Sequence, residues 1–305
     1  MSTIVSILLA PISALISIAL YIRHRLYDAY ILRSSDVQVP TVCVGNLALG
    51  GTGKTPHVEY LIRELAPRYR IAVLSRGYGR RTKGFRLVTP TDTAYTSGDE
   101  PLQIATKFPT IPVAVCEKRV KGVRQLLKLY PDLQLVILDD AFQHRAIRCD
   151  LNILLTAYDN LYVNDHIWPL GRLRDLKSRS HKADVIIVTK CPTNMLPIDK
   201  RILETTLHKA SFQQLYFSAY QYAPLPKEGT PLLVTGIANP QPLYDYVLAQ
   251  RPQAKLLAFP DHHDFIPPEV ELIKSRAASF DYVLTTEKDL PRLQAAGLAE
   301  ALEEQ

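Results

Sequence analysis

The chain has 305 residues, of which 47% are apolar and 22% charged. That balance excludes a disordered tail and a fibrous repeat, and the length accommodates about two domains of ordinary size. Lys and Arg number 36 against 30 Asp and Glu, a net charge of +6 that favours anionic partners such as phosphates, acidic lipids or nucleic acid without choosing among them.

The first predicted element is an apolar helix. From Ser2 to Ile22 no residue is charged, and roughly 20 helical residues rise about 30 Å, enough to cross a hydrocarbon core. Arg23, His24 and Arg25 follow at once, then Tyr27, Tyr30 and Arg33. A secretory signal fits poorly, because the charges come after the apolar run and no small-residue cleavage site is evident. A buried core helix is the ordinary alternative. Pro11, with Ser6, Ser13 and Ser17, interrupts the run. Two membrane readings therefore stay open: a single span, and a helix lying in the interface with Arg23 and Arg25 at anionic head groups. The positive-inside tendency keeps the rest of the chain in the cytoplasm either way. Residues 1–35 are expected to form this anchor.

Downstream, short β-branched runs alternate with helix-length segments. They are Val39–Val44, Ile71–Leu74, Ile111–Cys116, Leu135–Leu138, Leu151–Leu155, Val185–Val188, Leu232–Thr235, Lys255–Phe259 and Tyr282–Thr285. Continuous apolar strands between amphipathic helices predict a doubly wound α/β fold, a mostly parallel sheet covered on both faces. Its chemistry is expected at the carboxyl ends of the strands. The Pro- and Gly-rich stretch from Tyr222 to Pro231 precedes a fresh apolar strand. It marks the boundary between a core over residues 36–222 and a smaller C-terminal α/β domain over 223–305. The four cysteines, Cys43, Cys116, Cys149 and Cys191, form no C-x-x-C pair and no zinc spacing. They read as small core residues of a reducing compartment.

One motif is strong. Val39–Val44 runs into Gly45-Asn46-Leu47-Ala48-Leu49-Gly50-Gly51-Thr52-Gly53-Lys54-Thr55-Pro56, and His57–Leu65 reads as a helix. Strand, glycine loop and helix in that order form a P-loop of the P-loop NTPase type. In the segment from Asn46 to Pro56, the backbone N–H groups around Gly50, Gly51, Thr52 and Gly53 close on phosphate oxygens at a helix N-terminus. Lys54 neutralises β/γ-phosphate charge and the Thr55 hydroxyl ligates Mg²⁺. Ala48 replaces the first glycine of the strict pattern and is small enough for the loop to close. A glycine-rich turn without a ligand is the ordinary alternative. The run Leu135-Val136-Ile137-Leu138-Asp139-Asp140 ends a hydrophobic strand in acid. Asp139 and Asp140 there either hold Mg²⁺, directly or through water, or cap the next turn. The expected cofactors are ATP and Mg²⁺.

Further motifs follow in order: Ser75-Arg76-Gly77-Tyr78-Gly79, Gly98-Asp99-Glu100-Pro101, Asp139-Asp140-Ala141-Phe142-Gln143-His144-Arg145, Asp261-His262-His263 and Thr286-Glu287-Lys288-Asp289. With the P-loop block they resemble the tetraacyldisaccharide 4'-kinase (lipid A 4'-kinase) family. The resemblance implies a membrane-attached kinase that phosphorylates the 4'-hydroxyl of a tetraacyldisaccharide 1-phosphate lipid in lipid A biosynthesis. It would work at the cytoplasmic face of the inner membrane with no obligatory protein partner. Two departures stand out. Ala141 replaces a family glycine, which matters only if the turn needs φ > 0. Gly171-Arg172-Leu173-Arg174-Asp175 replaces Gly-Pro-Leu-Arg-Glu, keeping the acid's charge but shortening its reach.

The resemblance also places the general base at Asp99, coupled to His262 as a dyad. His262 and His263 adjoin, and the residues themselves leave both open. The ordinary reading of Gly98-Asp99-Glu100-Pro101 is a helix cap. Arg76, Tyr78, Arg119 and Arg174 are candidates for gripping the lipid's phosphate or the transferring group, because guanidinium matches phosphate geometry. Arg80-Arg81-Thr82-Lys83 faces either acidic head groups or solvent. Thr286-Glu287-Lys288-Asp289 either borders the nucleotide or ends a polar strand.

Two other classes compete. A membrane-associated P-loop ATPase that positions or partitions other components usually carries an extra lysine early in the loop, where this chain has Leu49-Gly50-Gly51. A nucleic-acid-binding protein, suggested by the positive charge, finds no basic helix or aromatic stacking motif in support, so no nucleic acid is expected.

Overall fold

The computed structural model, which describes residues 3–226, 228–261 and 263–298, begins with helix α1 (Thr3–Asp28). Its inward positions Ser6, Leu9, Ser13, Ser17, Leu20 and His24 recur every three or four residues, as one helix face must. The stripe against the protein is thus rich in serine, while Leu8, Leu15 and Ile18 point outward. Only 6% of the most apolar window is buried, so α1 is not a core helix.

The chain then alternates: β1 (Thr41–Asn46), α2 (Lys54–Leu65), β2 (Ile71–Ser75), β3 (Arg86–Leu87), α3 (Ala94–Ser97), α4 (Asp99–Lys107), β4 (Val113–Val115), α5 (Arg119–Leu129), β5 (Leu135–Asp139) and β6 (Leu151–Ala157). After two 3₁₀ turns come β7 (Val185–Thr189), α6 (Pro197–Leu207) and β8 (Gln214–Phe217). These strands form one eight-stranded sheet in the order β3-β4-β2-β5-β1-β6-β7-β8. All pairs are parallel except β3 with β4. Alternate residues of each strand enter opposite cores. Cys43, Leu74, Leu138 and Leu154 join Val123 and Leu126 of α5 on one face, while Val44, Val73, Ile137 and Ile153 join Val58 and Ile62 of α2 on the other. This is the doubly wound arrangement.

The chain divides after Tyr220 into two compact units. The second contains β9 (Pro231–Thr235), α7 (Gln241–Gln250), β10 (Lys255–Ala258), α8 (Pro267–Ala277), β11 (Tyr282–Leu284) and α9 (Leu290–Ala295). Its three strands pair in parallel in the order β10-β9-β11, over a core of Leu232, Val234, Ile273 and Leu293. All four cysteines are free thiols.

Candidate active site

Strand β1 lies between β5 and β6, so its carboxyl end meets that of β5: Val44 pairs with Asp139, and the Asp140 N–H donates to the Val44 carbonyl at 2.9 Å. Gly45 is required there, because a Cβ would lie 2.5 Å from that of Phe142. Buried Asn46 braces the loop from within. Its Nδ2 donates to the Ala48 carbonyl and to Thr52 Oγ1, both at 2.8 Å, and its Oδ1 accepts from Arg174 at 2.6 Å. Ala48 is buried and bridges Leu173, while the Leu49 N–H donates to the Arg172 carbonyl at 2.7 Å.

The far half of the loop opens outward. Side chains added at Gly50 or Gly51 would meet nothing within 4 Å. Gly53, at φ 82°, turns the chain into α2 through the left-handed region. Behind it, Thr189 Oγ1 donates to the Thr52 carbonyl at 2.9 Å, and His57 Nδ1 lies 2.7 Å from the Gly53 carbonyl. Burial lowers the pKa of His57. A neutral ring with Nδ1–H donating forward leaves Nε2 to accept from Ser218 Oγ at 3.1 Å.

The two adjacent acids differ in surroundings. Lys54, the first residue of α2, has Nζ 3.9 Å from Asp140 Oδ1, and Arg174 holds both Asp140 oxygens, one of them at 2.8 Å. Burial works to raise the Asp140 pKa, but the Arg174 hydrogen bond and the Lys54 charge outweigh it and hold the carboxyl below its ordinary value. Asp139 is 1% exposed; its Oδ2 accepts from Ser75 Oγ at 2.9 Å, and its Oδ1 has no hydrogen-bond partner. Burial, followed by the charges of Glu100 and Asp140, pushes its pKa up to about 7. A buried carboxylate oxygen left without a donor suits a hard divalent cation.

Among the described residues no group of three or more His, Cys, Asp or Glu gathers. Mg²⁺ needs no such cage, since one or two carboxylates, water and substrate phosphates suffice. Asp139, with half-buried Thr55 beside Lys54, fits that ion better than Asp140, whose oxygens are already engaged by cations. Burial, then Arg119, Arg23 and Arg76, lowers the pKa of His144 to about 4, so this imidazole stays neutral near pH 7.

A family model described as LpxK: Tetraacyldisaccharide-1-P 4'-kinase matches residues 5–303. The chain belongs to this family. The tetraacyldisaccharide 4'-kinase of Bacteroides thetaiotaomicron is 42% identical over 312 residues, covering 93% of this chain and 82% of that protein. The one of Parabacteroides distasonis is 43% identical over 311 residues, covering 94% and 84%. A crystal structure of "apo" form LpxK from Aquifex aeolicus in complex with ATP superposes with a TM-score of 0.73 at 30% identity, over 95% of this chain and 90% of that one.

The remaining 4'-kinase motifs take several places. Ala141 is buried outside the left-handed region; Asp140, at φ 48°, takes that conformation instead, so the turn does not need the family's glycine. Arg76 and Tyr78 stand exposed on the loop after β2. Arg119 is turned into the protein: its guanidinium donates to the Cys116 carbonyl at 2.7 Å and to those of Asp139 and Asp140 at 3.3 and 3.4 Å. Asp175 is fully buried, 2.6 Å from His24 Nε2 of α1, so its shortened side chain meets the N-terminal helix. The basic cluster splits. The Arg80 guanidinium is buried on Glu117, whereas Arg81 lies over the Tyr95 ring at 4.8 Å.

Asp99 is not the cap of α4; Gly98 is, and Asp99 is the half-buried first helical residue. Glu100, its neighbour, lies close enough to Asp139 to raise the latter's pKa. His262 lies outside the described residues. Its neighbour His263 has Nε2 2.7 Å from Glu269 and its ring stacked on Phe259. Asp289 accepts from Thr235, Thr286 and the Gly236 N–H, bracing the end of β9. Sequence reasoning missed Ser75, Thr189 and His57. Ser75 stood in the Ser75–Gly79 motif without a role assigned to it, His57 carried a local signal four residues past Gly53 at the start of a helix, and Thr189 carried none.

Proposed function

We propose that this chain transfers the γ-phosphoryl group of ATP to the 4'-hydroxyl of a tetraacyldisaccharide 1-phosphate lipid, in an Mg²⁺-dependent step of lipid A biosynthesis. The observation that carries the reading is the unpartnered, buried Oδ1 of Asp139 beside an open glycine rim and Lys54. Family membership makes the positioning or partitioning ATPase the weaker account.

In this reading Gly50–Gly53 and Lys54 cradle the β- and γ-phosphates, while Asp139 and Thr55 hold the ion. Held by Asp139 and Thr55, Mg²⁺ would supply positive charge against the charge developing on the phosphates. Asp140, fixed by Arg174, keeps Lys54 in place. As the sugar oxygen attacks, its bond to phosphorus forms while the bond to the ADP oxygen breaks, and Asp99 takes the hydroxyl proton. Arg76 and Tyr78, both exposed, are the groups available to an incoming lipid phosphate; the Arg119 guanidinium is occupied by carbonyls.

Attachment runs through α1. Ser13 is bonded to the loop at Ile167 and Leu170, and His24 to Asp175, so the protein holds the inner stripe while the apolar face stays outward. A helix held this way lies along the bilayer interface with exposed Arg25 at the cytoplasmic head groups, while Arg23 is turned to the protein and donates to the Gln143 carbonyl at 3.0 Å. Incubation of purified protein with γ-labelled ATP, Mg²⁺ and tetraacyldisaccharide 1-phosphate tests the whole reading. Label is expected in the lipid; release only as inorganic phosphate would refute it.

A further inference from the structure

Besides α1, one loop ties the apolar N-terminus to the nucleotide loop. On one side, Ser13 Oγ donates to the Ile167 carbonyl and accepts from the Leu170 N–H at 3.3 Å. On the other, Leu173 bridges Ala48 and the Arg172 carbonyl accepts from Leu49. The loop is internally fixed. The Trp168 N–H donates to the Leu173 carbonyl at 2.8 Å and the Leu173 N–H to the His166 carbonyl at 2.8 Å, while Asp165 Oδ1 accepts the His166 and Arg172 N–H groups at 2.8 and 3.0 Å.

At its tip this rigid loop presents Trp168, 53% exposed and the one tryptophan of the chain. Leu49, joined to the loop by its N–H, is also exposed, as are Ile12 and Leu15, which flank Ser13 on α1. A large aromatic side chain with a polar N–H edge suits the head-group level of a bilayer, where one end is apolar and the other wet. Arg172, exposed beside it, is paired with Asp165 at 3.7 Å, so it is the net charge of +6 over the whole chain that favours an anionic lipid surface.

We propose that Trp168 is a second membrane contact, seated at the head-group level of an anionic bilayer next to α1, and that this loop thereby sets the height of the P-loop below the lipid surface. The inference rests on the interfacial reading of α1, of which it is a continuation. The occupant is a lipid surface, because the exposed Ile12 and Leu15 of α1 border Ser13, the buried residue that holds the loop carrying Trp168.

The single tryptophan supplies its own probe. Full-length protein is mixed with vesicles of phosphatidylethanolamine and phosphatidylglycerol, plain or carrying bromine high on the acyl chains, and binding is followed in parallel by co-sedimentation. Emission is expected to shift to the blue on binding and to be quenched by the shallow bromines. Trp168→Ser, checked for folding by circular dichroism, is expected to partition about tenfold more weakly. Co-sedimentation with unchanged, unquenched emission would overturn the proposal and leave the anchoring role of α1 standing. Failure to co-sediment at all would remove the interfacial reading and this inference with it.

Discussion

A carboxylate that is 1% exposed and flanked by Glu100 and Asp140 is a burden on the fold that carries it. Burial, then those two charges, raises the Asp139 pKa from 3.8 to about 7. Between those values the folded protein keeps a proton that the unfolded chain has released. The penalty is absent below about pH 4, grows as the pH rises, and is complete above pH 7. Asp139→Asn removes it. Without nucleotide, the variant should exceed wild type in stability by roughly 2–4 kcal/mol at pH 8, with the gap closing toward pH 4. Turnover should be lost throughout. Thermal melts across that range, with a kinase assay, check both halves; an active variant, or one no more stable at pH 8, defeats the assignment. The acids at the end of β5 were legible in the sequence, but their inequality was not. It comes from the burial of Asp139 beside Glu100, and from Arg174, 34 residues beyond Asp140 in the chain.

At the scale of elements, Arg119 starts α5 and reaches from the end of β4 to that of β5, two strands separated by β2. Burial lowers its pKa, and the opposing charges of Asp139 and Asp140 keep it ionised. Removing the side chain leaves buried carbonyls without donors. Arg119→Ala should therefore lose roughly 2–4 kcal/mol of stability. Denaturant titration measures this; a variant of wild-type stability with a raised KM for lipid would return the residue to substrate binding. Sequence typed Arg119 by its chemistry and could not see which way it pointed. The same limit applies to strands. Those buried on both faces read as continuous apolar runs and were found. The edges β3 and β8 were not, since two residues make no pattern and Gln-Leu-Tyr-Phe alternates between exposed and half-buried.

For the whole molecule, α1 joins two tasks that a sequence shows as one apolar run. Its outer face carries Leu8, Leu15 and Ile18, each more than half exposed, whereas its inner stripe completes the core unit. There His24 pairs with Asp175, and Arg145 donates to the His24 carbonyl at 2.8 Å and to Asp28 at 2.7 Å. Deleting residues 1–28 therefore does more than remove the proposed membrane face: it strands a buried carboxylate and unbinds Arg145. Breaking such a buried pair costs about 3–5 kcal/mol. Exposed-face substitutions lack that consequence, each staying within about 0.5 kcal/mol. The triple variant Leu8→Ser, Leu15→Ser, Ile18→Ser should leave vesicles while melting close to wild type. The deletion should leave vesicles and melt roughly 6–20 °C lower, given about 2–4 °C per kcal/mol at this size. Co-sedimentation and calorimetry on the two variants separate the roles. A triple variant that still pellets with lipid shows that this face is not the membrane surface, and a deletion with unaltered melting shows that the His24–Asp175 pair holds nothing together.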